Sequence, residues 1–256
     1  MLRWPAEAVW EQVVPQLPGF TVEVLPQVDS TNSELMRRAR AGDMAPVLLV
    51  AEQQTAGRGR LGRGWVSDAG ASLTFSLGLP LAPRDWSGLS LAVGVSLAES
   101  LHPAIQLKWP NDLWLQGRKL AGILIETASA GASVERFAVV GVGLNIGPRP
   151  AEGLATAPAW LQELHPGMDG PQALGAVALP LVQALQTFEA QGFAAFRGRF
   201  AARDALQNKA VQLSDGTAGT ACGVGEDGAL LVHTPGGMKH VTSSEVSVRP
   251  IGAAGA

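Results

Sequence analysis

Along the first half of the chain, apolar and polar positions change period several times. Thr21 to Val28 alternates, which predicts a half-buried strand. In "DSTNSELMRRARAGD" the period lengthens. Leu35, Met36 and Ala39 give a helix one apolar face, Thr31-x-x-Glu34 reads as its capping box, and Gly42 supplies its stop. "PVLLVAEQQ" is a continuous apolar run with a polar end, as in a buried strand. After a glycine- and arginine-rich stretch come a strand, "ASLTFSLGL", and a helix, "WSGLSLAVGVSLAESL", with Leu89, Val93 and Leu97 on one face. "IQLKW" and "KLAGILIET" read as strands joined by a turn or hairpin, "PNDLWLQGR". "RFAVVGVGLNIG" reads as a strand ending at Asn145.

Between Pro148 and Pro171 the chain is rich in Pro, Gly and Ala, the composition of a long connection or lid. Two helices are predicted next, over Gln172–Gln191 and Phe193–Leu206. Beyond Asn208 the texture becomes short strands punctuated by "SDG", "EDG" and "PGG" turns. The expected organisation is α+β, with a mixed sheet flanked by helices over residues 1–206 and a small β-barrel over 207–256. A unit of that size is marginal alone and is expected to lean on the main domain.

Composition narrows the function. The 256 residues are 46% hydrophobic and 16% charged, which suits a large core. The net charge of -3 provides no general nucleic-acid surface, so any cationic site is local. The single cysteine, Cys222, cannot form an internal disulfide. No signal-peptide pattern opens the sequence, and its apolar runs are short for a bilayer. A soluble cytoplasmic protein with no membrane partner is expected.

The stretch "AEQQTAGRGRLGRGW", Ala51 to Trp65, contains Gly57-x-Gly59-x-x-Gly62, the spacing of a dinucleotide fingerprint. That fingerprint requires a helix to follow, and here "RGWVSDAGASLTFSL" leads into a β-pattern. The NAD reading fails on context. A solvated basic loop is the plain alternative. The specific one is anion capture: glycines admit close backbone approach, and the guanidinium forks of Arg58, Arg60 and Arg63 grip phosphate or carboxylate. Their mutual repulsion predicts a loop that is loose when empty and closes over an anionic ligand.

Two further stretches bear chemistry. "KWPNDLWLQGRKLAGILIE", Lys108 to Glu126, holds two of the four lysines. Lys119 at a strand start is solvated, or else Asn111 and Asp112 on the preceding turn hold its ammonium or a metal. In "GVGLNIG", Gly141 and Gly143 weaken a strand unless something packs close to its backbone; packing against a helix is the plain alternative. The four histidines, His102, His165, His233 and His240, lack metal-ligand spacing, and neither a phosphate loop ending in G-K-[ST] nor a G-x-S-x-G elbow is present.

Together "DSTN" (29–32), "AEQQTAGRGRLGRGW" (51–65), "KWPNDLWLQGRKLAGILIE" (108–126) and "GVGLNIG" (141–147) resemble biotin protein ligases, with "EVSVRP" (245–250) resembling the end of that family's C-terminal domain. The resemblance implies a catalytic fold related to class II synthetases and lipoate ligases, followed by an SH3-like β-barrel. It implies that ATP activates biotin to biotinyl-5′-AMP, and that biotin then passes to one lysine of a biotin carboxyl carrier protein of acetyl-CoA carboxylase. Lys119 and Arg58 are the implied catalytic residues. Ser30, Thr31, Asn32, Gln54, Gly57, Arg58, Gly59, Arg60, Lys119, Gly122, Gly141 and Gly143 would bind biotin. Arg60, Arg63, Trp65, Asn111, Asp112, Lys119, Asn145 and Arg249 would bind ATP. No protein metal site is implied; Mg²⁺ would be held mainly by the ATP phosphates.

Two departures carry consequences. About 20 residues, with Arg3 the single basic one, precede the first predicted strand, whereas many bacterial relatives begin with a DNA-binding winged helix. A ligase without repressor activity or a nucleic-acid partner is therefore expected, as a monomer or homodimer. Leu61 stands where the family loop often has another basic residue. The competing readings are a lipoate or octanoate transferase and a non-catalytic regulator; the Gly/Arg loop and Lys119 oppose them.

Overall fold

The computed structural model describes residues 2–129, 135–148, 157–242 and 248–251. A short helix not read from the sequence, α1 (Ala6–Val13), precedes β1 (Thr21–Val28), and its Val9 and Val13 are buried. Next come α2 (Thr31–Arg40), β2 (Val47–Gln54), β3 (Ser72–Leu81) and α3 (Leu89–Leu101). The strands β4 (Gln106–Lys108), β5 (Asp112–Leu115), β6 (Arg118–Ser129) and β7 (Arg136–Asn145) follow. Helices α4 (Gly170–Gln191) and α5 (Ala194–Ala201) complete the larger part. Seven strands form one sheet in the order β1-β2-β3-β7-β6-β5-β4. Only β1 and β2 run parallel; the other neighbours are antiparallel. The sheet is thus mixed and helix-flanked, as expected.

The apolar run of β2 is buried on both faces. Leu48 and Val50 enter the main core, with α1, α3 and α4, while Val47 and Leu49 enter a smaller core under Leu35, Met36 and Ala39 of α2. Helix α4 is long and apolar enough by length and composition to cross a membrane, but its Leu174, Val177, Leu181, Val182, Leu185 and Phe188 are core residues.

Several elements differ from expectation for local reasons. The cap of α2 is Ser30, whose Oγ accepts from the Ser33 N–H at 3.4 Å; Thr31 is the first helical residue, and Glu34 pairs with Arg37 and Arg38 instead of reaching back. The turn between "IQLKW" and "KLAGILIET" contains a strand of its own, β5. It is joined to β6 by Gln116 and Gly117, which have φ of 50° and 76°, the signature of a two-residue hairpin. Helix α4 starts at Gly170 under the Asp169 cap; Pro171 sits in the first turn, where its missing N–H costs nothing. Helix α5 ends at Ala201 because Arg203 and Ala205 pair with Leu107 of β4. Of the long connection, 149–156 lie outside the described residues, and 157–169 hold one 3₁₀ turn at Leu161–Glu163.

The C-terminal strands β8 (Ala210–Leu213), β9 (Ala218–Val224), β10 (Leu230–Thr234), β11 (Gly237–Val241) and β12 (Val248–Pro250) form an antiparallel sheet ordered β11-β10-β9-β8-β12. The antiparallel sheet is as expected; among the described residues no pairing of its edge strands β11 and β12 closes it into a barrel. The turn before β10 docks on the larger sheet: buried Trp109 Nε1 donates to Gly228 O at 3.0 Å, and Gly228 lies against Gly88.

Helix α2 stands on β7 at a bare point of backbone. A Cβ on Gly141 would lie 1.9 Å from Asn32 Oδ1. Because three hydrogen bonds fix that amide, Gly141→Ala is expected to cost about 1–3 kcal/mol, read as a lowered denaturation midpoint at unchanged slope. At the junction to the second sheet, Asp204 Oδ2 is buried with no hydrogen-bond partner among the described residues, and burial raises its pKa above the usual 3.8. The folded chain therefore disfavours the ionised form: the penalty is absent below the unfolded pKa and complete above the folded one. Asp204→Asn should raise the melting temperature at pH 7, by roughly 2–4 °C for about 1 kcal/mol, and leave it unchanged near pH 3.

Candidate active site

The C-terminal ends of β1 and β2, the first turn of α2, and the middle of β3, β7 and β6 enclose one end of a cleft. Its floor is polar. Ser76 is fully buried, and its Oγ lies 2.6 Å from Asn32 Oδ1 and 2.7 Å from Thr31 Oγ1. Asn32 Oδ1 only accepts, so the serine proton goes to it. That leaves the Thr31 hydroxyl to donate to Ser76 Oγ, and Gln54 Oε1 accepts from the Thr31 N–H at 2.8 Å, which fixes the amide's orientation and leaves Nε2 as the donor toward the cleft. The Gln54 backbone N–H is in turn held by Ser67 Oγ at 2.7 Å. As Ser30 Oγ serves α2 as an acceptor, its own proton stays available.

The Gly/Arg stretch folds across this end. Residues 57–65 form a narrow excursion closed by an Arg58–Gly64 bridge, by Trp65 N–H to Gly57 O at 2.8 Å and by Gly59 N–H to Arg63 O at 2.7 Å. One 3₁₀ turn, Arg60–Gly62, is the helical content, with Leu61 left-handed at φ 55° and 57% exposed. No α-helix follows the glycines, consistent with the failure of the NAD reading. The loop reaches the far strands through two arginines: Arg58 pairs with Glu126, and Arg60 Nη1 donates to Asn111 Oδ1 at 3.2 Å. The Trp65 indole lies on β7, where a Cβ on Gly143 would come 2.3 Å from its Cε2. The two strand glycines thus have separate causes, one a helix residue and the other an indole.

The other end of the cleft is cationic. Lys119 Nζ meets Asp112 Oδ1 at 2.7 Å and lies 5.9 Å from the Trp65 ring centre. Lys108 Nζ stands 5.0 Å over Trp114, and burial lowers its pKa, opposed by the charge of Asp112. Burial also lowers the Arg60 pKa, again opposed by Asp112; a guanidinium stays charged even so. Asn111 Nδ2 donates to Ile123 O at 2.7 Å, which locks the β5–β6 hairpin under these charges. The cleft therefore grades from hydroxyls and amides into a shelf of cations.

Most residues singled out from sequence line this cleft: Ser30, Thr31, Asn32, Gln54, Arg58, Gly59, Arg60, Arg63, Trp65, Asn111, Asp112, Lys119, Gly122, Gly141 and Gly143. Three do not. Gly57 sits behind Trp65, where a Cβ would meet Trp65 O at 2.3 Å. Asn145 is buried, and its Nδ2 donates to Ala159 O at 3.0 Å and Lys119 O at 3.4 Å. Arg249 lies on β12 beside Val248, which does line the cleft, and its charge reaches Lys108. Sequence reasoning left Ser76, Lys108 and Glu126 unassigned. The signal for Ser76 was available: Ser72, Thr74 and Ser76 recur at every second position of an apolar strand, the period of one face.

Comparison with known proteins agrees with this geometry. Residues 24–145 match the Biotin/lipoate A/B protein ligase family, and 208–249 match the Biotin protein ligase C terminal domain. The bifunctional ligase/repressor BirA of Escherichia coli is 37% identical over an alignment covering 93% of this chain and 77% of that one. The biotin--[acetyl-CoA-carboxylase] ligase of Paracoccus denitrificans is 34% identical, covering 87% and 98% respectively. The biotin protein ligase of Aquifex aeolicus, solved with biotin and ATP, superposes with a TM-score of 0.76 at 31% identity, covering 90% of this chain and 98% of that one. By these likenesses across both of its sheets, the chain belongs to the biotin protein ligase family.

Proposed function

We propose that the chain activates biotin with ATP and transfers it to one lysine of a biotin carboxyl carrier protein. The observation that carries this is the gradient of the cleft, from neutral donors and acceptors around Ser30, Thr31 and Gln54 to the cations Arg58, Arg60, Arg63 and Lys119. A cyclic urea needs both donors and acceptors in a confined slot. The Ser30 hydroxyl and Gln54 Nε2 are the available donors to its carbonyl. Asn32 has both amide protons engaged, by Leu124 O at 3.1 Å and Glu126 Oε2 at 3.0 Å, so it serves the slot mainly as a wall.

In the first step a biotin carboxylate oxygen bonds to the α-phosphorus of ATP, and the bond to the β-phosphate oxygen breaks, releasing pyrophosphate. Two anions must meet, so positive charge fixed at the meeting point lowers the barrier. Lys119 is placed for that role: Asp112 orients its ammonium, and Gly122 leaves it room. Arg60 and Arg63 would neutralise phosphates, and the loop would keep water from the mixed anhydride. In the second step the acceptor amine bonds to the acyl carbon, AMP leaves, and the amine loses a proton. Among the described residues no three His, Cys, Asp or Glu side chains converge. A Mg²⁺ ion held mainly by the ATP phosphates would supply charge to the leaving pyrophosphate.

The test is biotin-dependent exchange of pyrophosphate into ATP, followed by biotin transfer to a purified carrier domain. Exchange with lipoate or octanoate and none with biotin would refute the reading. Lys119→Ala is expected to lower adenylate formation by about 10²–10³-fold with the melting temperature retained. Limited proteolysis within residues 57–65 should slow when biotin and ATP are added together; equal cleavage in both states removes the lid role.

A further inference from the structure

Glu126 lies in the β6 register facing Val139, on the face of the sheet that α2 covers. One carboxylate oxygen takes Arg58 from the loop; the other accepts from Asn32 Nδ2 at 3.0 Å. Asn32 is 3% exposed, and Ser76 beneath it is fully buried. Ser76, Asn32, Glu126 and Arg58 thus form a series from the floor of the cleft to its rim, through side chains of four different elements.

We propose that Glu126 is a positioning residue: it orients Arg58 over the neutral end of the cleft and makes the loop's placement depend on Asn32. The inference rests on the biotin-ligase reading for what Arg58 is positioned toward, a ligand carboxylate. An exposed ion pair contributes little where both partners wander. Here one partner does not wander, because the amide of Asn32 fixes the carboxylate, and that amide is fixed at both ends and pressed against Gly141. Glu126 engages one Nη of the guanidinium, so other N–H donors of the fork remain for a ligand anion. The same contact neutralises Arg58 in the empty loop and relieves the repulsion among its three arginines. Glu126 therefore acts through Arg58 without itself touching the reacting atoms.

The experiment is a cycle of Glu126→Gln, Arg58→Gln and the double variant. Each is read by cleavage of the loop in the free protein and by the biotin KM and kcat of pyrophosphate exchange. Glutamine still accepts from Asn32 but cannot pair with a guanidinium. Glu126→Gln is expected to speed loop cleavage several-fold and raise the biotin KM about tenfold, with a smaller change in kcat. The double variant should match Arg58→Gln within about twofold. Glu126→Asp, which keeps the charge, should recover part of the loss. Multiplying single effects, unchanged cleavage and KM in Glu126→Gln, or equal defects in the Asp and Gln variants each overturn the proposal. If the unaltered protein shows no exchange with biotin, the ligase reading fails, while the cleavage comparison in the free protein still decides whether Glu126 holds Arg58.

Discussion

Everything in the cleft depends on how closely side chains approach the backbone of β7. At Gly141 an amide stands where a Cβ would be, and at Gly143 an indole does. Strands at the centre of a sheet are weakened by glycine, and this one carries two in an otherwise unbroken apolar run. The weakness is offset by position. Strand β7 lies between β3 and β6, with ten register pairs to the one and nine to the other, so backbone pairing on both sides holds it where side chains are missing. Bare backbone on a rigid central strand lets α2 seat its first turn directly on the sheet and lets the loop lay its last residue flat beside it.

From that seat the polar floor follows. With the cap moved one residue back to Ser30, Thr31 and Asn32 become the first helical residues and point down toward the sheet. Their polar groups are buried, so each must find partners or cost stability. Gln54 at the end of β2, Ser76 in β3 and the carbonyl of Leu124 in β6 supply them. The floor is therefore preorganised: its rotamers are settled by bonds within the protein, and the Ser30 proton and the Gln54 Nε2 amide protons remain to be claimed.

The legible parts of the molecule were those where one residue type has one physical use. The buried run of β2, the strand pattern of β1 and the chain reversal before "KLAGILIET" were legible, because period and turn chemistry act locally. Most of the cleft lining was located by the family resemblance that four motifs carry, and by no local period. What was not legible depended on distant partners. The capping box was misplaced because Thr31 and Ser30 both cap well, and only the burial of Thr31 against Gln54 decides between them. Helix α5 is shorter than its pattern because β4 captures residues 203–205. Glu126 looked like the end of an apolar strand; its importance arises from Arg58, 68 residues away. Helix α1 spans eight residues and starts after Pro5 with no side-chain cap, so neither length nor capping announces it, yet α4 and β1 cover it.

The bond from Trp109 to Gly228 joins residues 119 apart in sequence, and it is buried. It braces the hairpin bearing Asn111, Asp112 and Lys119 against the turn before β10 of the second sheet. The footing of the cation shelf is therefore shared between the two sheets, whereas the polar floor is built from the larger sheet and α2 alone. Loosening the second sheet would slacken the end of the cleft where charge is needed and leave the neutral end intact.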